Sequence, residues 1–376
     1  MHIIIAPDSF KGTLSSLEAG TIIKEAALSA FPVSSVDVLP MADGGEGTVE
    51  AVLSCVEGEK VCLTVSGPLG HGVRASYGRL SGNRAIMEMA EASGLMLVPE
   101  EKRNPLLTST FGTGEMMAQA MEAGIRTIIL GIGGSATCDG GMGAMKALGI
   151  RFLDKEGREL PGRGASLGQV EAIDFSRRHP LLAETEVIVL GDVKNPLCGE
   201  RGAVRAFAPQ KGADSVMVEE LERGMVHYRN ILEKTFRKNA DAIPGSGAAG
   251  GLGAALALFL HGRMVSGAEE MLRLAGFDKY LQDADLVVTG EGRSDGQSGE
   301  GKITGAIANR CRKWNVPCIV LSGSLGKGWE ILQQQGAFAV HGAVSPEEQE
   351  WAMAHPRASL YQLAETFFRN WQERGE

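Results

Sequence analysis

Short β-branched runs recur along this chain, and each opens into a loop rich in glycine and acids. The runs at 3–5, 36–39, 128–130, 187–190, 286–288 and 318–321 are largely apolar at odd and even positions alike. A strand that is apolar on both faces belongs in a parallel sheet covered on both sides. After the first run, Ser15 or Ser16 can cap a helix through Leu28, and Glu18 completes a capping box with Ser15. Strand 36–39 leads to a helix after Gly47 that carries Val49, Val52 and Leu53. Near the other end, strand 286–289 leads through a loop to a helix around 305–314. Strand 318–321 leads through Ser322-Gly323-Ser324 to a helix near 329–335. Strand 337–341 precedes a C-terminal helix from about 359.

The middle of the chain has another texture. Strands over 61–65, 75–80 and 84–89, with turns at Gly67-Pro68 and Ser81-Gly82-Asn83, predict antiparallel hairpins. A helix after Asp214 places Met217, Leu221, Met225, Tyr228, Leu232 and Phe236 on one stripe. No internal repeat is evident. The pattern predicts an α/β protein of two domains, the default for 376 residues. Residues 1–60 and 285–376 form a discontinuous doubly wound parallel-sheet domain. Residues 61–284 form an inserted mixed α/β domain, with the active site expected in the cleft between the two.

Composition narrows the function. Hydrophobic content of 44% and charged content of 22% are those of a soluble globular protein. A net charge of -9 without a basic stripe argues against nucleic acid as a partner. No apolar run reaches membrane-spanning length, and no basic segment followed by an apolar one opens the chain, so a cytoplasmic protein is expected. The six cysteines form no CxxC pair, which removes zinc-type spacing. The 51 glycines lie among apolar runs and predict tight turns where backbone approaches ligand.

The loops after strands carry the candidate chemistry, because ligands of open α/β sheets bind outside the strands' carboxyl ends. In Asp8-Ser9-Phe10-Lys11-Gly12, Lys11 can meet phosphate and Asp8 a metal or hydroxyl; the same residues also suit a plain turn. Asp43-Gly44-Gly45-Glu46-Gly47-Thr48 reads as a hard-cation or ribose site, or as a helix start with Asp43 as cap and Glu46 completing the box. The stretch Gly133-Gly134-Ser135-Ala136-Thr137-Cys138-Asp139-Gly140-Gly141 is the strongest phosphate candidate, since it follows a strand and opens a helix. Asp192 can activate a hydroxyl or bind magnesium, with Asn195 orienting. Lys211 can neutralise phosphate or cover surface. Glu291, Arg293 and Asp295 make an acid–base–acid cluster, functional or a structural ion-pair network.

Two strings mimic nucleotide motifs. Gly245-Ser246-Gly247-Ala248-Ala249-Gly250 fits GxGxxG, but no strand precedes it. The string from Gly296 to Thr304 has the GxxxxGK spacing, yet Ile303 stands where Ser or Thr must hold magnesium. Lys302 there can still meet an anion.

Taken together, the motifs resemble the bacterial glycerate kinases, the class with a Rossmann-like domain interrupted by a second domain. The marks are Ala6-Pro7-Asp8-Ser9-Phe10-Lys11-Gly12, Ala42-Asp43-Gly44-Gly45-Glu46-Gly47-Thr48 and Gly133-Gly134-Ser135-Ala136-Thr137, with Asn195-Pro196-Leu197-Cys198-Gly199, Pro209-Gln210-Lys211-Gly212-Ala213, Gly247-Ala248-Ala249-Gly250-Gly251 and Gly290-Glu291-Gly292-Arg293. The resemblance runs end to end. Cys138, Ser294 and Gly191 depart from the pattern, which has Asn, an aliphatic residue, and Cys or Ala there. The resemblance implies ATP-dependent phosphorylation of D-glycerate, with 2-phosphoglycerate favoured over 3-phosphoglycerate, by a monomer or homodimer.

Role assignment rests on chemistry. In-line transfer with Mg²⁺ asks for positioning and charge stabilisation. Expected catalytic groups are Asp192 first, then Asp295, Glu291 and Lys11. Asp8, Ser9, Lys11, Arg293, Lys302 and Asn195 are expected to bind glycerate. Gly133, Gly134, Ser135, Ala136, Thr137, Asp139 and Lys211 are expected to bind the ATP phosphates. Asp43, Glu46 and Asp192 are the expected metal ligands.

Overall fold

A computed structural model describes residues 1–299 and 301–373. Glu300, inside the GxxxxGK-like string, lies outside the described residues. Thirteen strands form among the described residues: β1 (His2–Ile5), β2 (Ser35–Val38), β3 (Gly58–Ser66), β4 (Gly72–Leu80), β5 (Arg84–Glu88), β6 (Thr127–Gly131), β7 (Arg151–Leu153), β8 (Ala172–Asp174), β9 (Glu186–Leu190), β10 (Arg263–Val265), β11 (Leu286–Ser294), β12 (Cys318–Leu325) and β13 (Ala339–Ala343). The chain divides into two compact bodies. The terminal body holds Met1–Asp43, Glu50–Glu57 and Ser266–Glu376; the central body holds Gly44–Val49 and Gly58–Val265.

The terminal body is built on a five-stranded sheet of order β13-β12-β11-β1-β2, parallel throughout. Ile3, Ile4 and Ile5 are fully buried. Each isoleucine buried in this way contributes about 1.5–3 kcal/mol. Alternate residues serve opposite faces. Ile3, Ile5, Val288 and Ile319 pack on helices Ser16–Ala30 and Pro356–Glu373, and Phe31, just past the end of the first, meets Phe368 of the second edge to face at 6.4 Å. Cys318, of the other parity, meets Cys311 on helix Ile303–Trp314. Both faces are therefore covered, as apolar runs of both parities predict. The capping box at Ser15 and Glu18 is present. Arg310 of helix Ile303–Trp314 ties helices Gly267–Ala275 and Phe277–Tyr280 to this body through Glu269 and Asp278.

Strands β11 and β12 are longer than their apolar runs. They continue through Ser294 and Leu325, with Glu291 opposite Ser322 and Arg293 opposite Ser324. The expected loops after 289 and 321 are therefore strand. Gly290 permits the pairing: a Cβ there would stand 2.1 Å from Leu321 O. A helix over Pro346–Ala354, absent from the sequence reading, follows β13 and buries only Ala352.

The central body carries a six-stranded sheet of order β10-β9-β6-β5-β4-β3. The β3–β4 and β4–β5 pairs are antiparallel, as the hairpin texture predicts; β5, β6, β9 and β10 run parallel. Helix Ser215–Phe236 is capped by Asp214, which accepts from Met217 N at 2.8 Å, and buries Leu221, Met225, Tyr228 and Leu232. β7 and β8 form a separate two-stranded ribbon.

Candidate active site

In the terminal body, the carboxyl ends of β1, β2, β11 and β12 meet a cavity of about 390 Å³. Asp8, Ser9, Lys11, Asp43, Glu291, Arg293, Asp295 and Lys302 all line it, beside Ser322 and Ser324. The opposite wall is largely apolar, with Met353, Leu360 and Leu363 from the last two helices. So residues separated by nearly three hundred positions in sequence share one pocket of the usual ligand-binding size.

Asp8 is the most perturbed acid of the pocket. It is 5% exposed, and Ser9 N donates to its Oδ1 at 2.7 Å. Burial, together with the negative charge of Asp43, pushes its carboxyl up from 3.8 to about 7. The Ser9 N–H and Lys11 pull the other way. A buried carboxyl titrating near neutrality in a pocket marks a candidate general base.

Glu291 is buried and ion-paired. Its carboxylate accepts from Ser294 Oγ at 3.0 Å and from Lys302 Nζ at 3.2 Å. Ser294 and Ser322 share a 2.6 Å hydroxyl contact behind it. Ser294 is thus a buried link, and its departure from the aliphatic pattern has a partner. Arg293 sits on the rim, largely exposed, with Asp295 3.8 Å away. Asp295 itself closes a turn: its Oδ1 accepts from Gln297 N at 2.9 Å. Lys11 is the freest cation, 74% exposed and 4.0 Å from Asp43. Ile303 is fully buried, and its aliphatic side chain offers a metal no donor atom.

The 133–137 loop of the central body is tied down through its carbonyls. Gly134 O accepts from Leu95 N at 2.8 Å, Ala136 O from Thr108 Oγ1 at 2.9 Å, and Thr137 O from Lys211 Nζ at 2.7 Å. The amides of Gly133, Gly134 and Ser135 donate to no group among the described residues. Gly134 is exposed, with φ at 71°, and Gly133 and Ser135 are half-buried. Consecutive outward amides at a strand's end make an anion-binding concavity.

The remainder of the glycine-rich stretch behaves differently. Asp139 is completely buried, and its carboxylate accepts from Thr110 N, Thr110 Oγ1, Gly141 N and Gly143 N at 2.7–3.1 Å. Burial raises its carboxyl while these donors hold it down. It therefore caps helix Met142–Ala147 from within. No phosphate reaches those amides, because the chain's own acid occupies them. Ala136, Thr137 and Cys138 are also buried. Cys138, at the departure from Asn, packs into the core. Lys211 is 2% exposed, so it does not cover surface. Burial lowers its ammonium, and Cys138 and Asp139 oppose that shift.

The Asp43–Thr48 turn is not a self-capped helix start. Gly44 and Gly47 have φ of 93° and 88°, which delays the helix to Thr48–Cys55. Its first amides are held by Glu88, a residue that sequence reasoning passed over: Gly47 N and Val49 N donate to the carboxylate at 3.0 and 2.7 Å. Burial pushes Glu88 up to about 7 against those two bonds. Its signal was position alone, an acid at the carboxyl end of a strand. Glu46 is exposed, and Asp192 is half-buried just after β9. Asn195 closes a turn by donating to Arg201 O at 2.7 Å. Among the described residues no group of three His, Cys, Asp or Glu is gathered as a metal site.

At Gly245 no strand precedes the GxGxxG-like string; a short 3₁₀ turn over Ala248–Gly251 follows, with left-handed backbone at Ala249, Gly250 and Gly251. Glu269 and Glu270, near the distance at which that motif has its ribose-binding acid, are engaged with Arg310 and Arg273. The dinucleotide reading has no support in this geometry. Among the described residues no helix is long and apolar enough to cross a membrane.

A parallel α/β sheet with charged groups at the carboxyl ends of its strands has them where ligands of such sheets bind. A sequence model of the glycerate kinase family matches residues 3–372. A glycerate kinase of Halalkalibacterium halodurans is 44% identical over 344 residues, covering 91% of this chain and 90% of that protein. A glycerate 2-kinase of Escherichia coli is 44% identical over 341 residues, 90% of each. A crystal structure described as a putative glycerate kinase 2 from Salmonella typhimurium LT2 matches with a TM-score of 0.86 at 38% identity, covering 100% of this chain and 99% of that one. The chain belongs to the glycerate kinase family.

Proposed function

We propose that this enzyme transfers the γ-phosphoryl group of ATP to the C2 hydroxyl of D-glycerate, giving 2-phosphoglycerate and ADP. The observation that carries the site assignment is the terminal cavity, where Asp8, with its carboxyl raised to about 7, faces a pocket that also holds cations. Glycerate offers one carboxylate and two hydroxyls. Arg293 and Lys302 suit the carboxylate, Arg293 as the planar fork. Asp8 then takes the hydroxyl proton as the oxygen attacks phosphorus. This reading takes Asp8 rather than Asp192 as the general base, because Asp8 lines that cavity with its carboxyl raised to about 7.

The outward amides of 133–135 receive the nucleotide's phosphates. Asp139 and Lys211 leave that role and become supports of the loop. Magnesium fits the hard oxygen donors available: Asp43 of the terminal body would hold it as a carboxylate beside substrate phosphates, the usual arrangement for this ion, and Asp192 of the central body is a separate candidate ligand. When bound it neutralises charge on the β- and γ-phosphates. ATP as donor fits a cytoplasmic setting.

The division of labour predicts separable kinetics. Arg293→Ala should raise KM for glycerate at least about tenfold and leave KM for ATP within about twofold, measured by ADP release at saturating co-substrate. A rise confined to KM for ATP would remove Arg293 from the glycerate site.

A further inference from the structure

The ammonium of Lys211 is inside the central body, and both its partners lie in one loop. Nζ donates to Ser135 Oγ at 2.8 Å and to Thr137 O at 2.7 Å. Lys211 ends a short turn, Pro209–Lys211, and Gly212 follows in the left-handed region with φ of 92°. A Cβ at Gly212 would stand 2.4 Å from Arg103 O, so the backbone there is closely packed.

An ammonium only donates, and a hydroxyl has one proton and two lone pairs. Ser135 therefore meets Lys211 with a lone pair, and its proton has to point elsewhere. No group among the described residues accepts it. Ser135 is half-buried, next to exposed Gly134, and its own amide is among the three that donate to nothing described. The loop thus gives the carbonyls of Gly134, Ala136 and Thr137 to Leu95, Thr108 and Lys211 and the Ala136 amide to Ser93 O, while the amides of 133–135 and the Ser135 hydroxyl proton have no acceptor among the described residues.

We infer that Lys211 is a positioning residue that acts through Ser135. It holds the hydroxyl oxygen from beneath, so that the Ser135 O–H donates to a phosphate oxygen of the nucleotide beside the amides of Gly133 and Gly134. Lys211 itself touches no phosphate. The inference rests on the nucleotide reading of this loop.

The test measures Kd for ADP by calorimetry, KM for both substrates and Tm, on the full chain. Ser135→Ala should weaken ADP binding about tenfold, the loss of one hydrogen bond to a charged group. KM for glycerate should stay within about twofold, and Tm within about 2 °C. Lys211→Met should weaken ADP binding at least as much. Adding Ser135→Ala to it should cost less than about twofold more, because both changes remove one hydrogen bond. Wild-type ADP binding by Ser135→Ala overturns the inference, as do losses that multiply in the double variant. If Lys211→Met does not fold, Ser135→Ala decides alone. Gly134→Asp separates the two levels, since Asp tolerates left-handed backbone and places a carboxylate at the loop's apex. If Gly134→Asp leaves ADP binding unchanged, the nucleotide reading fails and this inference with it. If it abolishes binding while Ser135→Ala does not weaken it, only the Lys211–Ser135 link fails.

Discussion

Asp8→Asn is expected to lower kcat by about 10²–10⁴-fold while raising the stability of the fold at pH 8. The substitution keeps an oxygen for the 2.7 Å bond from Ser9 N and removes only the ionisable group. Asp8 is held at about 7 in the folded chain against 3.8 for an unperturbed carboxyl, chiefly by burial and then by Asp43. A carboxyl raised on folding contributes stability that is complete below about 3.8 and is lost as pH rises through about 7. Ionised Asp8 therefore costs the folded protein up to about 4 kcal/mol at pH 8. Asn removes that cost, so the variant should melt higher than the parent at pH 8, and the difference should vanish toward pH 4. In the parent, kcat/KM should climb with pH to a plateau above about 7, and the variant should lack that limb. A variant that is inactive and yet more stable is the mark of an acid kept for function. An unchanged pH limb in Asp8→Asn would return the general base to Asp192.

The second large effect concerns stability. Asp139→Ala should destabilise the central body by about 3–5 kcal/mol, because it orphans buried donors that each cost about 1–3 kcal/mol unmade. Thr110 N, Thr110 Oγ1, Gly141 N and Gly143 N all lose their acceptor. Thermal unfolding followed by calorimetry should show the central transition shifted down by roughly 5–15 °C. KM for ATP, measured well below that transition, should move far less than a phosphate ligand would require. A normal Tm with a large rise in KM would make Asp139 a phosphate contact after all.

These two residues show what could be read in the sequence and what could not. The apolar runs placed β1, β2, β6, β9, β11 and β12, because burial on two faces leaves a signal at every position, whereas β7, β8 and β10 are three residues each and left no run. The Ser15–Glu18 box and the Asp214 cap were legible because their partners are three residues away. The extensions of β11 and β12 were not, since Gly290, Glu291, Gly292 and Arg293 have poor strand propensity and are strand only because β12 pairs with them. Helix Pro346–Ala354 buries one residue and so leaves no apolar stripe.

In the site, residue identity was legible but environment was not. Asp8 and Asp139 read alike, as acids in glycine-bearing loops after strands. Asp8 faces a cavity, while Asp139 meets Thr110, 29 residues earlier, and is used up as a cap. Glu88 carried no motif, because its partners at Gly47 and Val49 are some forty residues away. Lys211 read as a phosphate contact or a surface charge, and its burial under Ser135 and Thr137, which excludes the second, left no trace in the sequence.

Phosphorus NMR of the protein incubated with D-glycerate, Mg²⁺ and ATP puts the whole reading to one measurement. Glycerate-dependent ADP should appear together with a new phosphomonoester whose signal is split into a doublet, since C2 carries a single proton. ATP left unconsumed beyond the rate without glycerate, with no new phosphomonoester, would contradict the assignment of this chain as a glycerate kinase.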